Sequence, residues 1–305
     1  MMQISKDKFK LVGTQLGEAE KISKPSLSFW KDVFIRFRKN KLALFGLVLL
    51  GLLIFMAIFG PYMTPYDYAS NDLGNKNQSP SSEHWFGTDD LGRDVFARTW
   101  EGARISIFIG VAAAVIDLII GVLWGGIAGY KGGRTDEGMM RFADILYGVP
   151  YLLLVILLMV VLGQGLSTMI IAMSITGWIN MSRIVRGQVL SLKNQEYVLA
   201  AKTLGANTSR IMGKHLIPNS MGPILVTMTL TIPSAIFTEA FLSFIGLGLT
   251  PPIASWGTMA NDGLPDMRYY PWRLFFPATF ICLTIFAFNV VGDGLRDALD
   301  PRMRK

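Results

Sequence analysis

Two carboxylates stand inside long apolar segments of this 305-residue chain. Asp117 lies midway along residues 105–128, and Glu239 lies within residues 222–249. A charged side chain at the centre of a bilayer costs about 2.5–3.5 kcal/mol on insertion scales, so each group should face protein, face water or be protonated. Two readings are open for both. They line a translocation path and bind a cationic group, or they form interhelical hydrogen bonds that fix packing.

Asp117 has no pairing partner within its own predicted helix. The residues three and four positions away are all apolar or small: Ala113, Ala114, Ile120 and Gly121. Because side chains at these spacings are its helical neighbours, its partner must be another helix, water in a cavity or a passing substrate. Further candidates for a path are neutral polar side chains, which in helix bundles usually bond to neighbouring backbone. They are Asn180, Thr227, Thr229, Thr231 and Asn289.

Residues that bind metals or nucleotides are scarce. The 2 histidines, His84 and His215, fall on opposite sides of the predicted membrane, so no metal site is expected. The single cysteine, Cys282, allows no internal disulfide. The sequence has no GxxxxGK(S/T) phosphate loop, the nearest fragment being Gly213-Lys214-His215. The chain is therefore not expected to hydrolyse ATP or to be an enzyme.

The elements that must position these residues are long apolar helices. Hydrophobic residues make up 51% of the chain and charged residues 17%, whereas soluble proteins have about 25% charged residues. About 20 apolar residues span a bilayer core of about 30 Å as a helix, and a helix satisfies its own backbone groups in lipid. We predict an all-α membrane protein with about six transmembrane helices, at residues 42–59, 105–128, 145–162, 166–182, 222–249 and 274–292.

The basic residues predict how these spans are oriented. With a cytoplasmic N-terminus, the inside segments hold 23 of the 29 lysines and arginines, as the positive-inside rule requires. The net charge of +7 then reflects the orientation of the chain in the membrane rather than nucleic-acid binding. The basic residues directly before the first span are positioned to interact with lipid head groups. We predict a cytoplasmic tail at residues 1–41, a transmembrane domain at residues 42–292 and a cytoplasmic tail at residues 293–305.

The predicted cytoplasmic loop at residues 186–219 begins with an amphipathic pattern. Apolar and charged residues alternate with helical spacing over residues 186–204, which predicts a helix on the membrane face. Gly205 follows, as a glycine does at the C-terminus of many helices. The small side chains of Ala200 and Ala201 would let another surface approach this helix closely.

A second helix is predicted to follow at residues 209–216. Asn207 or Thr208 can cap its N-terminus. Pro218 is expected to close it, because proline disfavours the helical conformation of the residue before it. The resulting helix-turn-helix, taken alone, would serve either as a structural brace or as a docking surface.

This loop resembles the loop shared by permease subunits of bacterial ABC importers. In that family a Glu-Ala-Ala triplet, a glycine and a Leu-Pro pair mark the helices that dock into the ATPase. The matching residues are Ala200, Ala201, Gly205 and Pro218. Leu199 stands where the family has glutamate and Ile217 where it has leucine, so Glu196 is the possible substitute for the missing charge.

Three further segments narrow the resemblance. Residues 84–107, 239–263 and 288–305 are similar to segments of peptide and nickel permeases, and they fall in the expected places relative to the spans. Together with the loop, they resemble the C-type subunit of dipeptide/oligopeptide permeases. The resemblance covers the chain from about residue 29 to its C-terminus.

The resemblance implies a fold, partners and a location. The fold would be that of a type I ABC importer permease with a cytoplasmic coupling loop, in a bacterial inner or plasma membrane with both termini cytoplasmic. A homologous second permease would complete the translocation path. Two cytoplasmic ATPases would bind ATP and magnesium, and an extracytoplasmic protein would bind the peptide. This chain itself would bind no cofactor.

Alternatives of other kinds remain open at this stage. Nickel is the second candidate cargo within the same family. A proton-coupled secondary transporter would use Asp117 and Glu239 as a proton relay, and a membrane scaffold would use the loop at residues 186–219 only for docking. Six spans, no visible internal repeat and the helix-turn-helix loop favour the ABC permease.

Overall fold

The computed structural model describes residues 29–300, and this part of the chain is helical. Within it, the only β-type pairing is an isolated bridge between Thr88 and Asp94. Within residues 29–300, five helices are long and apolar enough to cross a membrane, or six if one bent helix pair counts as a span. The all-α membrane fold with about six spans is therefore confirmed. Residues 1–28 and 301–305 of the predicted tails lie outside the described residues.

The helices follow one another in a simple order. They are α1 (Phe29–Lys39), α2 (Lys41–Phe59), α3 (Val95–Lys131), α4 (Gly133–Tyr147), α5 (Tyr151–Leu162), α6 (Leu166–Leu192), α7 (Glu196–Thr203), α8 (Thr208–Ile211), α9 (Ile217–Leu242), α10 (Trp256–Gly263) and α11 (Trp272–Leu299). The long connections at residues 60–94 and 248–271 share one end of the bundle, which we call the loop end. The helix α7 lies at the other end, the α7 end.

Several helices are longer than the predicted spans because polar caps and polar helical turns extend them beyond the apolar stretch. Helix α3 begins at Val95, ten residues before the predicted span, because the side chain of Asp94 accepts a hydrogen bond from Ala97 N at 2.7 Å. Helix α6 continues from the predicted end at residue 182 to Leu192. Helix α11 runs to Leu299, into the segment predicted as a tail.

The predicted third span, residues 145–162, is not one helix. Helices α4 and α5 meet at Gly148–Pro150 with a bend of 77°. Proline lacks a backbone N–H and disfavours a helical conformation at Val149, so the helix ends there and a new one begins at Tyr151. The predicted span thus corresponds to the last residues of α4, the bend and α5, and the apolar run alone gave no sign of the bend.

The predicted helix at residues 186–204 is also divided. Its first part belongs to α6, and the chain turns at residues 193–195 before α7 begins at Glu196. At this turn the Lys193 ammonium donates to the Gly129 carbonyl of α3 at 2.8 Å. The second helix begins at Thr208, capped by Asn207, whose side chain accepts from Arg210 N at 2.9 Å.

Pro218 does not close this second helix, contrary to the expectation from sequence. The chain passes from α8 through a π-helical turn, Met212–Leu216, directly into α9. In this turn Ile217 N donates to Met212 O, five residues back, and Pro218 then occupies the first turn of α9. A proline is tolerated there because the first N–H groups of a helix need no partner within it.

Helices α3 and α6 pack with their backbones in close contact. Three glycines of α3, at positions 121, 125 and 129, face α6 along one stripe. A Cβ at Gly125 would overlap the Ser182 carbonyl oxygen and lie 3.0 Å from Arg186 N, and a Cβ at Gly129 would lie 3.0 Å from the Cβ of Val189. We call this contact the α3–α6 seam. It exists only because these positions have no side chain.

A buried arginine joins the two long connections at the loop end. Arg273, at the start of α11, donates to Asp90 at 2.9 Å, to Asp266 at 2.7 Å and to the Asp262 carbonyl at 3.0 Å. Charge-assisted bonds of this kind are stronger than neutral ones. The loop end is therefore an ordered layer.

Candidate functional site

A cavity of about 880 Å³ opens between α3, α6, α9 and the bend between α4 and α5. Each helix contributes one face, with residues at helical spacing. The lining is Ala113 and Asp117 of α3, residues 147–151 of the bend, Met173, Thr176, Gly177, Asn180, Arg183 and Ile184 of α6, and Thr227, Leu230, Thr231, Ser234, Ala235 and Thr238 of α9. Its size is within the usual range for small-ligand sites, about 300–1,000 Å³.

The α9 face of the cavity is a row of hydroxyl groups. Thr227, Thr231, Ser234 and Thr238 each donate to the carbonyl oxygen four residues earlier in the same helix. A hydroxyl has one proton to donate and two lone pairs to accept. Since the protons are already used, this wall offers oxygen acceptors to whatever enters the cavity.

Asp117 is the buried acid of the cavity. It is only 5% exposed, and among the described residues its Oδ1 atom has no hydrogen-bond partner. The carboxylate lies against Gly177 of α6, where a Cβ would overlap it, so the glycine makes room for the acid. A buried polar atom without a hydrogen-bond partner lowers the stability of the folded protein. The arrangement therefore offers an acceptor for a donor or a cation in the cavity.

Glu239 lies elsewhere, in a packing network. It is fully buried (0% exposed) and accepts hydrogen bonds from the hydroxyls of Ser106 at 2.8 Å and Ser243 at 2.9 Å. The Ser106 oxygen in turn accepts from Trp256 N at 3.2 Å. Glu239 thus connects α9 with α3 and α10, and it is not among the residues that line the cavity.

Asn289 also lies away from the cavity. It is exposed on α11 and, within the described residues, is not part of the lining. Of the weaker candidates, Asn180, Thr227 and Thr231 line the cavity, whereas Thr229 does not. Of the three principal candidates for the translocation path, Asp117 therefore lines the cavity, whereas Glu239 and Asn289 lie outside it.

Arg183 is a cavity residue that the sequence reading did not single out. Its guanidinium bonds Asp144 of α4 at 2.8 Å and lies over the Tyr147 ring, 4.4 Å from the ring centroid. A signal was present in the sequence: a basic residue directly follows the predicted fourth span at residues 166–182. The bend residues, including Tyr151, were missed for a different reason, since residues 145–162 were predicted as one continuous span.

The predicted coupling loop forms a projection at the α7 end. Helix α7 is anchored by Val198, whose buried side chain packs in one cluster with Ile211 and Leu216. Glu196, Leu199, Ala200 and Gly205 are exposed, Ala201 is half-buried, and Pro218 is exposed at the start of α9. Gly205 has φ of +83°, the left-handed conformation that favours glycine. The predicted coupling residues thus lie on α7, just after its C-terminus and at the start of α9.

The tip of this projection carries an apolar residue that sequence reading missed. Leu204, immediately before Gly205, is 88% exposed, and Leu199 is 48% exposed. An exposed leucine alone needs no explanation. Here Leu199 of α7 and Leu204, the residue directly after this helix, are both exposed, and we call these two residues the apolar tip. The signal in the sequence was a leucine placed directly before the helix-ending glycine.

The geometry defines a class of protein: a multi-pass helical membrane protein with a polar cavity between its helices and a loop that projects at one end. Residues 121–305 match the family described as binding-protein-dependent transport system inner membrane component. Residues 28–80 match the N-terminal transmembrane domain of oligopeptide transport permease C. The chain belongs to this family of transport permeases.

Two relatives from Bacillus subtilis (strain 168) align along the whole chain. The chain is 69% identical over 305 residues to the oligopeptide transport system permease protein OppC, with 100% of both sequences covered. It is 59% identical to the dipeptide transport system permease protein DppC, covering 99% of this chain and 95% of that protein.

The fold also matches a solved structure. A chain of the MetNI methionine ABC transporter in an inward-facing conformation superimposes with a TM-score of 0.52, at 15% identity, covering 65% of this chain and 94% of that chain. The fold is therefore that of a type I ABC importer permease, as the loop at residues 186–219 led us to expect.

Proposed function

We propose that this chain is a membrane permease subunit of an ATP-driven importer of oligopeptides or dipeptides. The observation that carries the proposal is the sequence similarity, along the whole length of the chain, to permeases of oligopeptide and dipeptide transport systems, with 69% and 59% identity. Nickel is not favoured as cargo by these relatives. Among the described residues, no group of three His, Cys, Asp or Glu side chains could hold a metal ion.

The partners follow from the family to which the chain belongs. A homologous second permease completes the path, an extracytoplasmic protein delivers the peptide, and two cytoplasmic ATPases bind ATP and magnesium. The apolar tip at Leu199 and Leu204 supports the assignment of α7 as the surface that docks into an ATPase, because apolar side chains on a projecting turn fit a recess in a partner. This chain supplies no nucleotide site and acts as the transport subunit.

The cavity is the proposed section of the translocation path within this chain. Its hydroxyl row and Asp117 offer acceptors for the N–H groups and the ammonium group of a peptide. In the membrane, irregular backbone is tolerated where it lines a cavity, and the bend at Gly148–Pro150 meets that condition. Glu239 and Asn289 are left to packing and to the outer surface of the bundle.

The proposed topology predicts which side of the membrane each loop occupies. In a Cys282→Ser background, an introduced cysteine at Lys202 or Arg134 should react with an impermeant maleimide only from the cytoplasmic side. A cysteine at Ser79 or Asp262, both exposed at the loop end, should react only from outside. The positive-inside rule is the physical reason. Cytoplasmic labelling at Ser79 would overturn the orientation.

Asp117 gives a test of the path. Asp117→Asn keeps the shape and removes the charge, so the complex should assemble normally while peptide uptake falls by about tenfold or more, the loss expected for one charge-assisted bond. Asp117→Leu should be at least as inactive. If the asparagine variant takes up several peptides at the wild-type rate while the leucine variant fails to assemble, Asp117 is a packing residue.

The function itself is tested in proteoliposomes that contain this chain, its second permease and both ATPases. Uptake of a labelled peptide from its binding protein should require ATP and should stop when the ATPases are omitted. Peptide uptake driven by a proton gradient in the absence of ATP would instead support a secondary transporter. ATP-dependent uptake of nickel but not of peptide would show that nickel is the cargo.

A further inference from the structure

The cavity contains one acidic and one basic residue, and they lie at different levels. Among its lining residues, Asp117 and Arg183 are the only ones with a formal charge. Asp117 lies against Gly177 of α6, and Arg183 follows six residues later on the same helix. At about 1.5 Å per residue, the two levels are separated by roughly 9 Å along the helix axis.

This separation has the scale of a short peptide. An extended chain spans at most about 3.3–3.6 Å per residue, so three residues cover roughly 10 Å. A free tripeptide has a positive ammonium at one end and a negative carboxylate at the other. The charges of the cavity are therefore complementary to such a molecule in sign and number, and the backbone levels on α6 to which they belong are separated by a similar length.

Arg183 can accept a second carboxylate. Its side chain is 39% exposed and that of its partner Asp144 is 54% exposed, and ion pairs so open to solvent contribute little net free energy. Only one guanidinium nitrogen, Nη2, is used in the hydrogen bond to Asp144, whereas arginine has five N–H donors suited to a carboxylate. The Tyr147 ring beneath the guanidinium limits its orientations.

We propose that the cavity holds a short peptide by both of its charged ends, the α-ammonium at Asp117 and the α-carboxylate at Arg183. The proposal rests on the peptide importer function proposed above, and it adds the orientation in which the bound peptide lies in the cavity. The carboxylate end lies toward α7 and the ammonium end lies deeper in the bundle. The site recognises the free termini of a peptide and not its side chains. This selectivity is suited to a transporter that carries peptides of many sequences.

The test measures protection of a reporter cysteine inside the cavity. Thr231→Cys, made in a Cys282→Ser background, is labelled with maleimide in the purified complex of this chain, its second permease and both ATPases. Labelling is followed with rising concentrations of trialanine, N-acetyl-trialanine and trialanine amide, without binding protein. Free trialanine should protect the cysteine, and each blocked peptide should need a concentration higher by about tenfold or more.

Two variants should each remove one half of this discrimination. With Asp117→Asn, the acetylated and free peptides should protect equally, while the amide remains weaker. With Arg183→Gln, the amide and free peptides should protect equally, while the acetylated peptide remains weaker. Asp144→Asn is the matched control: it breaks the same ion pair as Arg183→Gln but leaves the guanidinium, so it should keep full discrimination at both ends.

The outcomes separate this proposal from the function on which it rests. Equal protection by all three peptides, no protection by free trialanine at its solubility limit, or loss of carboxylate discrimination in Asp144→Asn would each overturn two-ended binding. The same preparation is also assayed for ATP-driven peptide uptake with its binding protein. Uptake without end discrimination rejects only the two-ended site, whereas absence of ATP-driven uptake rejects the importer function.

Discussion

Ala201→Glu is expected to abolish ATP-driven peptide uptake while the two permeases still assemble in the membrane. Ala201 lies on α7, half-buried beside the exposed Leu199 and Ala200. A glutamate there would hold the ATPase away from the surface and place an unpaired charge in the contact. Co-purification of the ATPases with the permeases and uptake in proteoliposomes measure the two parts of this expectation.

The control places the same charge at the same end of the bundle but outside α7. Ser191→Glu, at an exposed position near the end of α6, should retain ATPase binding and uptake. If Ala201→Glu and Ser191→Glu behave alike, α7 is not the docking surface.

Gly205 allows a second test of the same loop that separates backbone conformation from bulk. A Cβ at Gly205 would meet no other atom within 4 Å, so the requirement for glycine within this chain is its φ of +83°. Asparagine tolerates this conformation better than other side chains. Gly205→Asn should therefore retain more coupling than Gly205→Glu. Equal loss in both variants would mean that any side chain at this position obstructs the ATPase.

Gly125→Leu is expected to reduce the yield of folded permease to a small fraction of wild type. Position 125 lies in the α3–α6 seam, where even a methyl group would overlap the Ser182 carbonyl. Overpacking by added methylene groups typically costs about 1–3 kcal/mol and occasionally more, and here the obstacle is rigid helix backbone. Yield of monodisperse complex and its melting temperature in detergent are the measurements.

Gly187→Leu is the matched control for this prediction. Gly187 is an exposed glycine of α6, and a Cβ there would meet no atom within 4 Å. The variant adds the same volume and hydrophobicity without contact, and leucine also favours a helix more than glycine does. It should keep the wild-type yield. If Gly125→Leu matches it, the backbones in the seam can separate without loss of the fold.

Much of the fold could be predicted because membrane burial leaves a strong signal in the sequence. Residues 42–59 and 274–292 are uncharged apolar runs, and both fall within single helices. The ends of helices were harder to predict. Asp94 extends α3 with a side-chain cap, and the π-helical turn at Met212–Leu216 lets Pro218 enter a helix that the proline was expected to close. Both effects depend on local hydrogen bonds that hydropathy does not report.

The site was predictable in part. An acid with only apolar neighbours in its own helix must be satisfied elsewhere, and this argument placed Asp117 in a cavity, against another helix or beside a substrate. For Glu239 the same spacing finds Ser243, four residues later in the same predicted span, but it cannot find Ser106, which approaches from α3. Arg183 was missed because its partner Asp144 lies on another helix, 39 residues away in the chain, and hydropathy does not report such a contact.

The α3–α6 seam has a mechanical consequence. Helices whose backbones touch along three glycines cannot slide past one another without collision, so we expect α3 and α6 to move together as one rigid unit during the transport cycle. Changes in backbone conformation are then expected at the two breaks in the helices beside this unit, the bend at Gly148–Pro150 and the turn at residues 193–195. Spin-label distances between α3 and α6 should stay constant on ATP binding, whereas distances from α6 to α5 should change.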